Sequence, residues 1–299
     1  MRLAVFSDIH GNLLALRAIL ADARAQGASA FITAGDLVAR APYPLETMAL
    51  LQEIGALMIR GNADQYQIDY DLHRKERGNQ RGPAFDVVRW IDQTIGEHGV
   101  RWLESLPKEM VVALPGMPPI RVVHGSPGNL NRGLVPGDAE TLRVFRTAGL
   151  WRSEDPPAPL AQQLNGAAES LIICAHTHIP WRETVAGRVV FNPGGGGIPV
   201  NGDPRAQYAL VNWSGEQWQI EHRAVTYDTA ALKAAYRDSG LLEQGGPFAR
   251  ACMLNTLTGR NAAMFLILLA RQYEQQTENF NEAMELAAKA FPWDEYEAE

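Results

Sequence analysis

Leu3-Ala-Val-Phe-Ser7 runs directly into Asp8-Ile-His10-Gly11-Asn12, after which Leu13, Leu14, Leu16, Ile19 and Leu20 recur at helical spacing. A short apolar run that stops at a carboxylate, followed by an amphipathic period, reads as strand, loop and helix. In open α/β sheets, ligands sit beyond the carboxyl ends of strands. Asp8 and His10 fall at that place, with the apolar Ile9 turned into the fold between them.

Four further apolar runs end in the same way. Ala30-Phe-Ile-Thr-Ala34 meets Gly35-Asp36, and Ala56-Leu-Met-Ile59 meets Arg60-Gly61-Asn62. Ile120-Arg-Val-Val123 meets His124, and Leu171-Ile-Ile-Cys-Ala175 meets His176-Thr-His178. Each event has an ordinary explanation by itself. An Asp after a strand usually caps the next helix, an Asn after Gly usually sits in a turn, and a lone His is often a satisfied core residue. Five strand ends that each deliver a ligand-type residue are poorly explained that way. Hard oxygen donors (Asp8, Asp36, Asn62) mixed with imidazoles (His10, His124, His176, His178) suit Mn, Fe, Zn or Ni better than Ca or Mg, which prefer all-oxygen shells.

The pattern D-x-H, G-D, G-N, H, [GA]-H-x-H is carried by Asp8–His10, Gly35–Asp36, Gly61–Asn62, His124 and Ala175–His178. In this the chain resembles the calcineurin-like metallophosphoesterase superfamily, from residue 1 to about residue 228. The stretch from Asn192 through the four glycines to Tyr208 is similar to the segment that follows in the family's small bacterial and archaeal phosphodiesterase branch. The spacing alone establishes only α/β; the resemblance implies a four-layer α/β/β/α sandwich of two packed mixed sheets. It implies Asp8, His10 and His178 around a first divalent transition metal and Asn62, His124 and His176 around a second, with Asp36 bridging both. Manganese ranks first, with iron, zinc or nickel also suited. One departure stands out: many members carry Gly-Asn-His-[Asp/Glu], whereas this chain has Gly61-Asn62-Ala63-Asp64. The branch just named often lacks that histidine, which elsewhere serves the leaving group.

The expected activity is in-line hydrolysis of a phosphoester, a diester in preference to a monoester, with Asp36, Asn62, His124 and Asp64 as the catalytic set. Two ions sharing a water would lower its pKa from about 15.7 toward about 7. Without the family histidine, substrates with good leaving groups should turn over best. Two alternatives remain open: a protein serine/threonine phosphatase, and a non-catalytic metal-binding scaffold of the same fold.

Composition agrees with a soluble enzyme. The chain has 299 residues, 46% hydrophobic and 20% charged, enough for a large core. A net charge of -7 argues against a stable nucleic-acid partner or an acidic membrane surface. The expected partner is a small phosphoester or nucleotide-like substrate. Cys174 and Cys252 are far apart and suggest no disulfide framework, and no leader or bilayer-length apolar stretch is read, so a cytoplasmic setting is expected.

The rest of the chain is less pointed. Residues 65–82 are polar and read as a loop or irregular helix, and 84–106 read as a helix. Residues 110–123 form a hairpin pattern, and 125–160 are a long connection where a lid would lie, with Arg143 and Arg146 on a shared helix face. The glycines 194–197 lack the Lys-[Ser/Thr] of a Walker loop and read as a turn beneath His176 and His178. Residues 206–226 alternate as a hairpin with a structural His222. After Asp228 the pattern is helical over 230–239, 247–272 and 279–291. The expected division is a phosphoesterase domain over 1–228 and a helical extension over 229–299, packed on the core or, through a homo-oligomer, on another subunit.

Overall fold

The computed structural model of the chain describes residues 1–77 and 80–297. Among these residues, ten strands form two five-stranded mixed sheets. The first half of the chain gives β1 (Arg2–Phe6), α1 (Leu13–Ala25), β2 (Ala30–Thr33), α2 (Pro44–Glu53), β3 (Leu57–Met58), α3 (Asn62–Arg77) and α4 (Asp86–Ser105). Next come β4 (Glu109–Val112), β5 (Ile120–Val123), α5 (Ala139–Thr147), α6 (Leu160–Gln163), β6 (Leu171–Ile173), β7 (Trp181–Val185), β8 (Arg188–Asn192), β9 (Ala206–Trp213) and β10 (Trp218–Val225). The remainder is helical: α7 (Thr229–Asp238), α8 (Leu241–Gln244), α9 (Gly246–Thr258), α10 (Ala262–Tyr273), α11 (Phe280–Ala290) and α12 (Asp294–Glu297). The first sheet runs β10-β9-β1-β2-β3 and the second β4-β5-β6-β8-β7.

The layers follow from alternation along the strands. In β1, Leu3 and Val5 face the second sheet while Ala4 and Phe6 face the outer helices. In β6, Leu171 and Ile173 face the first sheet, and Ile172 faces outward toward Phe145 and Leu164. In β9, Ala209 and Val211 point between the sheets and Tyr208 and Leu210 point out. A strand buried on both faces reads as a continuous apolar run, which is why these runs were visible in the sequence. The result is the four-layer α/β/β/α sandwich with a helical C-terminal extension. Among the described residues, no helix is long and apolar enough to cross a membrane.

Both expected hairpins are present, β4 with β5 and β9 with β10. Residues 65–77, read as loop or irregular helix, instead continue a regular helix that begins at Asn62 itself. Its polarity reflects a solvated face stitched to α4: Arg74 pairs with Asp71 and reaches Asp92 at 3.0 Å, while Ile68 and Tyr70 are buried. Residues 78 and 79 of that stretch lie outside the described residues. The hairpin of β7 and β8 was not anticipated; Arg182 and Glu183 interrupt its apolar period. Residues 247–272 are two helices, not one, because Gly259 takes φ +68 and ends α9. Leu232 and Tyr236 of α7, with Ala249 and Met253 of α9, join the cluster built on α1, α4 and the first sheet. α10, α11 and α12 close a smaller core with α9 around Leu266, Met284 and Phe291.

Candidate metal centre

All seven ligand-type residues converge at the carboxyl ends of the strands. The loop after β1 carries Asp8 and His10, the loop after β2 carries Asp36, and the loop after β3 leads into Asn62, the first residue of α3. From the second sheet, β5 delivers His124 and β6 delivers His176 and His178. Asp8, His10, Asp36 and His178 bring one ligand atom each within 4.8 Å of one another, all buried. On the other side, Asn62 Oδ1 lies 2.9 Å from His124 Nε2 and 2.7 Å from His176 Nδ1. Asp36 spans the two halves: its Oδ2 is 3.5 Å from His10 Nε2 and its Oδ1 3.5 Å from His124 Nε2.

This donor set fits cations. Neither oxygen of the buried Asp8 carboxylate has a hydrogen-bond partner, an arrangement that costs several kcal/mol by order of magnitude unless a positive charge answers it. His124 Nδ1–H donates to Ala34 O at 2.8 Å and His178 Nδ1–H donates to Ile198 O at 2.5 Å. In a neutral ring each Nε2 is then a lone pair. That of His124 faces the Asn62 oxygen, and that of His178 lies 3.4 Å from His10 Nε2 and 3.2 Å from Asp8 Oδ1. Lone pairs aimed at lone pairs, with the far ring nitrogen tied to a backbone carbonyl, are what metal-binding imidazoles present.

The electrostatics divide: against its burial, the Asp36 and Asp8 charges raise His124, whereas two other imidazoles move the opposite way. Burial pushes His10 well below its ordinary value and His176 down to about 3, so both imidazoles stay neutral and available as donors at neutral pH. Burial alone would raise Asp36, but His124 and Arg40 outweigh it and hold the carboxyl far below the usual range, helped by the Ala63 N–H at 2.8 Å. Asp8, with desolvation dominant, is raised.

Backbone packing fixes these side chains. Gly61 passes so close to Asp36 that a Cβ there would stand 2.1 Å from Oδ1, and a Cβ on Gly197 would stand 2.0 Å from Ile9 O. The glycine stretch is therefore a clamp. Gly195 N–H donates to His178 O, Gly196 N–H to Ser7 O and Gly197 N–H to Asp8 O. It reaches His178 as expected, but its tightest approaches are to the Ser7–Ile9 loop instead of His176. Asn192 at the end of β8 donates to Ala175 O and to Thr177 Oγ1, holding the loop of the paired histidines.

Asp64 is placed differently from the ligands. It is fully buried, and its oxygens accept from Leu37 N–H at 3.0 Å and Gly61 N–H at 2.9 Å. Burial, and then the neighbouring Asp36 charge, push it up to about 6 against the pull of those N–H groups. Asp36, Asn62, His176 and His178 open onto a cleft of about 470 Å³.

Two contributors to that cleft were missed in the sequence. Arg40 lines it, four residues past Asp36, at φ +85. Tyr236 Oη–H of α7 donates to Arg40 O at 3.0 Å, and Phe248 of α9 lies under its guanidinium. The other is the extension, which supplies Phe248, Met264 and Ile267 to the wall. A cation four residues after Gly35-Asp36 could be read in the sequence; the wall could not. His222 donates its Nε2–H to Asn192 O, the structural role expected. A larger groove of about 1140 Å³ among the C-terminal helices holds none of the ligand-type residues.

Residues 1–216 match the calcineurin-like phosphoesterase superfamily domain. The chain belongs to this superfamily. An uncharacterised protein of Methanocaldococcus jannaschii is 26% identical over 252 residues, covering 78% of this chain and 90% of that one. A crystal structure of a metallophosphoesterase from Sphaerobacter thermophilus superposes with a TM-score of 0.63 at 25% identity, covering 87% of this chain and all of that one. A hypothetical protein of Pyrococcus horikoshii gives a TM-score of 0.61 at 21% identity, covering 82% and 95%.

Proposed function

We propose that the protein is a dinuclear metal-dependent phosphodiesterase. The observation that carries this reading is the split of the donor set into two groups, Asp8/His10/His178 and Asn62/His124/His176, joined by the two oxygens of Asp36. Two divalent transition ions, manganese first, would supply an activated water and offset charge on the phosphoryl oxygens. The chain's own residues do the rest. Asp36, Asn62 and His124 fix the spacing of the two halves. The neutral imidazoles of His10 and His176 take no proton from an attacking water at neutral pH. Arg40 places a cation in the cleft where a phosphoryl group would lie.

Asp64 is a positioning residue in this reading: its two oxygens hold the Asp36–Leu37 turn against Gly61 and leave no carboxylate free for the leaving group. Ala63 has no proton to give, so leaving groups that depart as stable anions are favoured. Burial raises both thiols, Cys252 up to about 11, so neither is a nucleophile for the reaction.

Metal analysis after reconstitution with Mn, together with turnover of an aryl phosphodiester, an aryl monoester and a phosphopeptide, tests the reading. The expected result is two ions per chain and a preference for the diester. A folded protein that takes up no metal would overturn it; a preference for the phosphopeptide would make it a protein phosphatase.

A further inference from the structure

The cleft has two unlike halves. The metal side is polar, with Asp36, Asn62, His176 and His178, and carries Arg40 beside them, while Asn131, Arg132 and Gln163 add polar groups from the connection between β5 and β6. An apolar wall is made by Phe248, Met264 and Ile267 from the extension with Leu150, Trp151 and Pro157 from the connection between β5 and β6, and Phe248 lies under the Arg40 guanidinium. That wall has no hydrogen bond to offer from its side chains. Trp151 Nε1–H is committed to Asp155 O at 3.1 Å. Asn255 and Asn261, the polar residues behind the wall, satisfy one another and the nearby backbone. Asn255 donates to Asn261 Oδ1 at 3.0 Å and accepts from Ala263 N–H, while Asn261 donates to Ala148 O at 3.0 Å and accepts from Met264 N–H. The Asn261–Ala148 bond also ties the extension to the end of α5, so the two sides of the wall are held at a fixed distance.

A volume of about 470 Å³ falls in the range of small-molecule sites, roughly 300–1,000 Å³. An apolar wall without free donors penalises a charged or strongly polar group, which would lose its water and gain nothing. A ring loses little and gains contact, and the Met264 thioether is a good neighbour for an aromatic edge.

We infer that the cleft selects phosphoesters carrying a compact neutral ring, aryl or nucleobase, seated against Phe248, Met264 and Ile267 while the phosphoryl group lies toward Arg40 and the histidines. This rests on the proposed phosphodiesterase reading, and it gives the helical extension a part in substrate choice.

Calorimetric titration of the Mn-reconstituted protein with phenylphosphonate, a nucleoside 5′-methylenephosphonate and methylphosphonate tests it without turnover. At least one ring ligand should bind about tenfold tighter than methylphosphonate, and that ligand identifies the ring as aryl or nucleobase. Ring binding should also change the fluorescence of Trp151, a change absent from W151F. Met264→Glu should bring the ring-to-methyl ratio close to one, and Ile267→Ala, a gentler change in a half-buried side chain, should reduce it severalfold in a protein that still melts cooperatively. Equal binding of ring and methyl ligands, or a ratio unmoved in both variants, overturns the inference. If diesters turn over while ring and methyl ligands bind alike, the wall is rejected and the phosphodiesterase reading stands. If ring preference depends on the wall but no ester turns over, the wall stands and the phosphodiesterase reading falls.

Discussion

Asp8, His10, Asp36, His176 and His178 all carry positive φ, between +52 and +68. For a residue with a Cβ, the left-handed region costs about 1–2 kcal/mol, and such strain gathers at functional sites because the surrounding structure over-determines it. The clamp of Gly195–Gly197 on His178 and the Ser7–Asp8 turn supplies that determination here. His178→Gly and His178→Ala remove the same imidazole, but only glycine accepts the backbone without strain. The glycine variant should be more stable than the alanine variant by about 1 kcal/mol in urea melts, while both lose metal. Equal stabilities would mean that this backbone stores no strain. Ala63 poses the chemical question. It is buried in the first turn of α3, with its N–H on Asp36. Ala63→His should raise turnover of alkyl-leaving substrates more than aryl ones, because an alkoxide needs a proton and general-acid help is worth roughly 10²–10⁴-fold. Metal content measured in parallel separates this from damage to Asn62. An equal effect on both substrate types would show that position 63 does not reach the leaving group.

At the scale of elements, the sheets and helices are joined by a few polar ties as well as by apolar contact. Asp22 of α1 takes the Arg223 guanidinium of β10 at 2.7 and 3.1 Å and the hydroxyl of Tyr208 on β9. The Arg223 hydrogen bond lowers the Asp22 carboxyl, more than its slight burial raises it. A carboxylate depressed on folding contributes stability above its unfolded pKa, near 3.8, and loses it as pH falls through the lower folded value. Asp22→Asn should therefore cost about 1 kcal/mol at neutral pH, after discounting for solvent screening, and next to nothing at the most acid pH at which the protein still folds. Denaturant melts across that range would show the two curves converging. Parallel curves would assign the tie to packing alone. α3 makes a related point: a helix that opens on Asn62 aims the Ala63 N–H at Asp36, so one element both supplies a donor atom and stabilises the neighbouring charge.

At the scale of the whole molecule, the first helices of the extension are part of the main core. Leu232 and Tyr236 share a cluster with Leu16, Trp90 and Ile91, and Tyr236 reaches Arg40 at the cleft. Leu232→Ala removes a fully buried side chain and should cost about 2–5 kcal/mol. Followed both by far-UV signal and by tryptophan fluorescence, its unfolding should remain a single transition, displaced to lower temperature. Two transitions, with only the C-terminal helices affected, would show that the extension folds apart.

The sequence by itself determined the ligand-bearing strand ends, the two hairpins it announced and the α/β class. These are local signals: alternation with period two, and an apolar run that stops at a carboxylate or an imidazole. It also carried the family motif, and with it the expectation of two stacked sheets. Only the tertiary structure decided how the pieces are used. Asp64, next to a ligand-type residue in sequence, turns its carboxylate to backbone N–H groups. Gly196 and Gly197 clamp the β1 loop nearly two hundred residues away. Arg40 is held by helices that follow residue 228. The apolar wall brings the C-terminal helices to the connection between β5 and β6, where Asn261 donates to Ala148 O. Such contacts join segments far apart in the chain, and no short-range period records them; they arise when buried donors, backbone approaches and cavities must all be satisfied at once.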